Sequence, residues 1–375
     1  MAITIQQIHT HDALKAFVQF GIDHYKGNPF FVPPLIMDEL NTFNPKKNPV
    51  FEFCDVAYFM AFNHGKAVGR IVGIINHRSN DKFQENKARF GWIEFIDDRA
   101  VSHALLDAVE QWAKEKGQHT LCGPLGFTDL DYEGCLIEGF DQLSTASTIY
   151  NYPYYAAHFE AHGYTKGADW IEYKIIIPEG IPDKHRRIGE IVKKKLALNV
   201  IQPTNRKKLV KQYGQQLFEV INRSYADLFA FTELTQKQID YYIGLYLPLV
   251  RLDCIRLITD KDDQLIGFGI AIPSLAKAMQ KAQGKLFPFG WYHLLKAIRG
   301  KNDIIDLYLI GIVPEYQSKG VNALLFTELI PQFIANGYQY AESNPELEEN
   351  GKVQGQWDYF ERQQHKRRRA FIKNL

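Results

Sequence analysis

The sequence carries almost no excess charge, since 44 Lys and Arg against 43 Asp and Glu leave a formal net charge of +1. A dedicated nucleic-acid binder needs a basic surplus to neutralise phosphates, so that class is not expected. Cysteine is also scarce. Cys54, Cys122, Cys135 and Cys254 stand alone, with no C-x-x-C pair and no histidine at zinc-like spacing, so neither a disulfide framework nor a metal site is expected. The thiols read as buried groups of a reducing cytoplasm. No uncharged apolar run approaches the length that spans a bilayer, and residues 1–8 lack a basic stretch followed by an apolar core. We therefore expect no membrane span and a cytoplasmic protein. What is present, 46% hydrophobic and 23% charged residues over 375 positions, suits a globular chain with room for two domains.

The segment from Leu307 to Leu325 carries the clearest chemical signal. A strand-like run breaks at Pro314 into a polar loop that opens a helix, and the first turn of a helix offers unpaired N–H groups and the positive end of its dipole to an anion. Gly320 supplies the permissive backbone that close approach requires. In the strand, Asp306, Tyr308, Ile310 and Ile312 share one face, and Leu307, Leu309, Gly311 and Val313 the other.

The pattern of elements runs twice. In the first half, Ala57 to Phe62 and Ala67 to Asn76 read as strands joined by the turn Asn63-His64-Gly65-Lys66. Ala88 to Phe95 is a third strand, Val101 to Lys116 an amphipathic helix, Thr120 to Gly123 a short strand, and Tyr154 to His162 a helix closed by Gly163. In the second half, Cys254 to Thr259 and Leu265 to Pro273 form a hairpin. Asp303 to Val313 is the next strand, Asn322 to Ala335 the helix and Tyr338 to Glu342 the strand after it. Between the halves a Pro/Gly break leads into a basic helix, which reads as a connector. The expected boundaries are a first domain at 1–179, a linker helix at 180–196 and a second domain at 197–375.

Gln317-Ser318-Lys319-Gly320-Val321-Asn322 resembles the Q/R-x-x-G-x-G/A loop of GCN5-related N-acetyltransferases (GNATs), with Asn322 in place of the last small residue. His158 to Tyr164 resembles the segment that ends the last helix of such a domain, and Gly123 to Phe127 with Glu133-Gly134-Cys135 resembles uncharacterised two-domain bacterial members. The resemblance implies an α/β (α+β) fold of two tandem GNAT-like domains, each a mixed, mostly antiparallel sheet flanked by helices. It also implies acetyl-CoA or another acyl-CoA as co-substrate. Residues Gln317 to Ala323 would hold the pyrophosphate, and the backbone of Ile310, Gly311, Ile312 and Val313 the pantetheine arm. Gly311 would allow close approach there, or else mark a bulge. Asn350, in Glu346 to Asn350, would contact CoA or acceptor, or cap the following helix.

The halves differ at the cofactor loop. The first has Asp97 and Asp98 where the second has Lys319 and Gly320, and like charges about 4 to 6 Å apart repel by on the order of 2 to 4 kcal/mol at an intermediate dielectric. The same carboxylates would cap an unoccupied helix start, so only the second domain is expected to hold CoA. The implied chemistry is attack of an amine on a thioester, with a small-molecule or peptide amine as acceptor. It needs a base, carbonyl-polarising donors and an acid. The strand position of the family glutamate is Leu309, and the position of its tyrosine is Phe159 in one half and Phe360 in the other. Asp306, Tyr308, Glu342 and Tyr359 remain as candidates. A non-catalytic acyl-CoA-binding or scaffold protein is the rival reading, and transfer from another activated donor, such as aminoacyl-tRNA, a third.

About 30 residues separate the second hairpin from its next strand. Ala276 to Gly300 contains Phe287-Pro288-Phe289-Gly290-Trp291-Tyr292, and we expect an accessory helix packed on the core, against a lid over the acceptor pocket. A basic amphipathic helix touching lipid is a third reading, weakened by the central Pro and Gly. Near the end, the basic run His365 to Arg369 precedes Ala370 to Ile372, which reads as a final strand whose exposed start carries the charges.

Overall fold

A computed structural model describes residues 3–246 and 250–375. The strands are β1 Thr4–Gln7, β2 Cys54–Asn63, β3 Lys66–Asn76, β4 Lys87–Phe95, β5 Thr120–Gly123, β6 Cys135–Glu138, β7 Thr165–Ile176, β8 Asn199–Ile201, β9 Ile255–Thr259, β10 Leu265–Pro273, β11 Ile304–Ile312, β12 Tyr340–Ser343, β13 Glu346–Leu347 and β14 Arg362–Asn374. The helices are α1 His11–Asp23, α2 Ile36–Thr42, α3 His77–Phe83, α4 Arg99–Glu115, α5 Tyr154–Ala161, α6 Asp183–Lys195, α7 Arg206–Ser224, α8 Gln236–Tyr246, α9 Ala276–Ala282, α10 Gly290–Arg299, α11 Val321–Ala335 and α12 Gly351–Gln354. The class is mixed α/β, as the resemblance implied.

Two compact units divide these elements: 1–170 with 276–291 and 366–375, and 171–275 with 292–365. The first unit orders its strands β1-β2-β3-β4-β5-β14, antiparallel except for the parallel pair β4–β5. The β2–β3 hairpin turns through His64 at φ 50° and Gly65 at φ 78°, the pair of left-handed residues that a two-residue hairpin needs. Alternation along β3 sends Ile71 and Ile75 to one face, against Leu105 and Val109 of α4 and Phe159 of α5. It sends Val72 and Ile74 to the other, against Phe17 and Val18 of α1 and Phe43. Both faces are covered, and for that reason β3 reads as a nearly continuous apolar run.

The second unit repeats the scheme as β7-β12-β11-β10-β9-β8, with β11–β12 its parallel pair. Its core gathers Ile171, Ile305, Phe326, Leu329, Phe333 and Ala341. The expected connector is α6, which packs along α11; Thr327 Oγ1 donates to the His185 carbonyl at 3.3 Å.

Two expectations need correction. The basic run is not an exposed strand start, because Lys366 and Arg368 are buried inside β14. Arg369 Nε and Nη2 donate to Asp169 at 2.8 and 2.9 Å, Arg367 Nη1 donates to the same carboxylate at 3.2 Å, and Arg368 Nη1 donates to the Ile149 carbonyl at 2.6 Å. Buried, partnered charge explains the run. The aromatics of 287–291 are not core. Only the base of their segment is seated in the first unit, where Gln280 Nε2 donates to the carbonyls of Pro29 and Phe31 at 2.8 and 3.0 Å and Ile36 N donates to the Gly284 carbonyl at 2.9 Å.

Candidate active site

The second unit contains a fork. Strand β11 pairs with β12 only from Ile304 opposite Tyr340 to Leu307 opposite Ser343, where β12 ends, while β11 continues along β10 to Ile312 opposite Gly267. Its register against β10 jumps between Leu309, opposite Ile270, and Leu307, opposite Ala271, which makes Tyr308 the extra residue of a β-bulge that bends the strand away. Val313 N donates to the Ile266 carbonyl at 2.9 Å. Alternation then turns the backbone groups of Gly311 toward β10 and those of Ile310 and Ile312 toward the open side. Two side chains confirm the direction: Tyr225 Oη donates to the Ile310 carbonyl at 2.9 Å and Gln317 Nε2 to the Ile312 carbonyl at 3.0 Å. The N–H groups of Ile310 and Ile312 face the fork, where no strand among the described residues pairs with them.

After the strand, Pro314–Tyr316 forms one 3-10 turn. Ser318 at φ 57° and Gly320 at φ 82° are both left-handed, and α11 opens at Val321 with Gly320 as its cap residue. Ala323 N folds back on the Gly320 carbonyl at 3.0 Å, so the first-turn amides left over are those of Val321 and Asn322. Lys319 is exposed, its Nζ 5.4 Å from the centroid of the Tyr316 ring. The arrangement of fork edge, two left-handed residues and free helix amides fits a ligand with an amide-bearing arm and a diphosphate.

Gly311 and Gly320 have packing reasons of their own. A Cβ on Gly311 would lie 2.7 Å from Phe268 Cε1 and 3.0 Å from Ser224 Oγ, so its bare Cα admits these side chains, and the bulge falls at Tyr308 instead. A Cβ on Gly320 would lie 2.8 Å from Ile188 Cγ2.

Of the candidate catalytic residues, the structure brings together Asp306 and Glu342, opposite each other one step before the fork and both buried. His365 Nε2 lies 2.9 Å from Glu342 Oε1, an ion-pair contact with both side chains 7% exposed. Residue reasoning missed His365, because it opens a run of charges that reads as surface. Burial, with the charges of Glu342, Asp306 and Asp303, pushes the nearby Tyr340 phenol up to about 12, so it stays protonated. The Tyr308 ring packs on Tyr246 at 5.6 Å between centroids. Tyr359 lies apart from this group, 48% exposed, with Lys184 Nζ 3.9 Å above its ring. Phe360 packs on the core. Asn350 caps α12, accepting from Val353 N at 3.3 Å.

The first unit has the same fork, but its own side chains occupy it. Pairing of β4 with β5 ends at Arg89 opposite Cys122, and Ile96 N donates to the Val68 carbonyl at 3.1 Å as Val313 does in the second unit. Phe95 therefore stands where Ile312 stands. Its N–H donates to Tyr155 Oη at 3.2 Å and its carbonyl accepts from Tyr154 Oη at 2.6 Å. Tyr155 Oη also meets His24 Nε2 at 3.1 Å and Tyr25 Oη at 3.1 Å, and burial, with Arg70 adding to it, lowers the His24 pKa to about 4. At the loop, Asp98 caps α4 by accepting from Ala100 N at 2.9 Å, and Asp97 Oδ1 lies 3.0 Å from His158 Nε2. Asp107, Glu110 and His162 converge nearby. Lys373 Nζ already donates to both Glu110 oxygens at 2.8 and 2.9 Å, so a cation is in place without a metal.

No protein-family model matches the chain. Among curated proteins it is 28% identical over 371 residues to Protein YghO of Escherichia coli (strain K12), covering 96% of this chain and 93% of that protein. It is 27% identical over 318 residues to the bacterial ceramide synthase of Caulobacter vibrioides (strain NA1000 / CB15N), covering 84% and 82%. Among solved structures, a tandem GNAT protein from the clavulanic acid biosynthesis pathway aligns over 100% of this chain and 98% of its own, with a TM-score of 0.55 at 12% identity. At that identity the likeness establishes the fold alone, which is that of tandem GNAT proteins.

Proposed function

We propose that the chain is an acyl-CoA-dependent N-acyltransferase whose second unit holds the CoA. The observation that carries this reading is the contrast between the two forks. In the second, the Ile310 and Ile312 amides and the Val321 and Asn322 helix amides remain for a ligand. In the first, tyrosine hydroxyls take both backbone groups of Phe95, and carboxylates guard the helix start. Gln317 to Ala323 would receive the pyrophosphate and the β11 edge the pantetheine. The thioester would then reach the apex of the fork, beside Asp306 and Glu342. There an amine would attack the carbonyl carbon, a C–N bond form and the C–S bond break; the amine proton would pass to the Glu342–His365 pair, and CoA would depart as the thiolate and take up a proton to leave as the free thiol.

The similarity to the ceramide synthase supports one choice of acceptor and donor class. A ceramide is the amide of a long-chain amino alcohol, so we take a long-chain primary amine as acceptor and a long-chain acyl-CoA as donor, in preference to acetyl-CoA. The test is thiol release and amide detection by mass spectrometry with acetyl-CoA or palmitoyl-CoA, each against a short amine and sphinganine. Amide from palmitoyl-CoA and sphinganine alone is expected, with Glu342→Gln lowering kcat by about 10²-fold or more. Acyl-CoA binding without amide from any pair would leave the second reading, a non-catalytic acyl-CoA-binding protein, which the leucine at 309 and phenylalanine at 360 favour.

A further inference from the structure

We propose that the turn joining α9 and α10 is a docking element for the surface of an anionic lipid bilayer. Its tip exposes Phe287 at 71%, Phe289 at 68% and Trp291 at 47%, and α10 continues with Tyr292, 49% exposed. Large rings in so short a stretch are normally buried, and an exposed cluster of them marks a surface that meets another apolar phase. The tip is held in shape. Trp291 N donates to the Leu286 carbonyl at 2.8 Å, Trp291 Nε1 donates to the Pro288 carbonyl at 3.0 Å, and Gln280 and Gly284 anchor the base.

Charge selects the partner. Between Asp263 and Asp303 the chain has no Asp or Glu but six basic residues, Lys277, Lys281, Lys285, Lys296, Arg299 and Lys301. All six are exposed, and Lys277, Lys281 and Lys285 belong with Phe287, Phe289 and Trp291 to the first unit, in a protein whose net charge is only +1. Aromatic rings that insert at headgroup depth, flanked by lysines attracted to anionic headgroups, are the two components of interfacial binding, and neither requires a spanning helix. No helix among the described residues is long and apolar enough to span. The proposal stands whether or not the second unit transfers acyl groups.

The test is sedimentation of the full chain with phosphatidylcholine vesicles, with and without 30% phosphatidylglycerol, at low and physiological salt. Binding to the anionic vesicles only is expected, weakening as salt rises. Phe287→Ser with Phe289→Ser should lower the partition coefficient on the order of tenfold or more, and each of Lys277→Glu, Lys281→Glu and Lys285→Glu about fivefold. Brominated lipid should quench tryptophan emission in the wild type and lose most of that quenching in Trp291→Phe, since Trp92, Trp170 and Trp357 are buried and Trp112 is partly buried against the core of the first unit. Failure of the folded wild type to bind anionic vesicles at low salt overturns the proposal, as does binding indifferent to both sets of substitutions. Turnover of palmitoyl-CoA and sphinganine presented in detergent micelles without a bilayer, if the chain is an acyltransferase, should be unchanged in the tip variants, which separates failure of docking from failure of catalysis.

Discussion

Gly320 carries two demands at once. It needs a left-handed backbone, at φ 82°, and it needs an empty Cβ position, 2.8 Å from Ile188. Gly320→Ala should therefore cost about 1 to 3 kcal/mol of stability, read from urea unfolding, before any ligand is considered. Its effect on CoA binding would be confounded. Lys319→Glu, on an exposed side chain, is the cleaner probe: it should raise the KM for acyl-CoA several-fold with the melting temperature unchanged. Glu39 offers a pH test. Burial raises its pKa to about 7, the charges of Arg70 and Glu94 opposing each other, and Trp92 Nε1 donates to it at 3.4 Å. A carboxyl raised from 4.5 to about 7 contributes stability below about pH 4.5 that is lost as pH rises through 7. Glu39→Gln should therefore gain up to about 3 kcal/mol relative to wild type between pH 4.5 and pH 8 in denaturant titrations. At this scale the chain was legible where backbone conformation set the residue, as at Gly320 and the Asp98 cap, and misleading where burial reversed the sense of charge. Arg368 looks like surface until Ile149, 219 residues away, supplies its acceptor.

The elements were legible because each carries its own period and punctuation: Asn-His-Gly-Lys between alternating runs, Asp98 before an amphipathic helix, Pro314 after a strand. The forks were not. A fork is the place where a parallel pair stops, and neither β12 ending at Ser343 nor the bulge at Tyr308 leaves a local mark. The plugging of the first fork was hidden for the same reason, since Tyr154 and Tyr155 read only as helix residues. Replacing both with phenylalanine leaves the buried Phe95 amide and carbonyl without partners and should destabilise the protein by about 1 to 3 kcal/mol per unsatisfied group, while acyl-CoA affinity stays unchanged. Hydrogen exchange addresses the asymmetry directly. Saturating acyl-CoA should slow exchange at Ile310, Ile312, Val321 and Asn322, and leave Phe95 to Val101 as they were; slowing at both loops would overturn single-site binding.

Across the whole molecule, the doubled order of elements was readable, and a division near residue 180 followed from it. Contacts in space divide the chain differently, because 276–291 and 366–375 belong to the first unit. Phe371, fully buried, joins the core of α4 and α5, and Phe371 to Asn374 supply the antiparallel partner of β5. No local pattern reports such a loan, since the strand that leaves its own half looks like any other. A fragment ending at residue 179 should therefore be insoluble or molten, shown by weak near-UV circular dichroism and rapid proteolysis, and adding back 366–375 as a peptide should not be enough without 276–291. The same arrangement imposes an order in time. A ribosome makes β5 long before its antiparallel partner in β14, so while the chain between them is synthesised β5 has an open edge in search of a partner. Over that interval the edge needs shelter, and a translational pause between β5 and β14 would lengthen the time in which two growing copies could exchange the pairing strand.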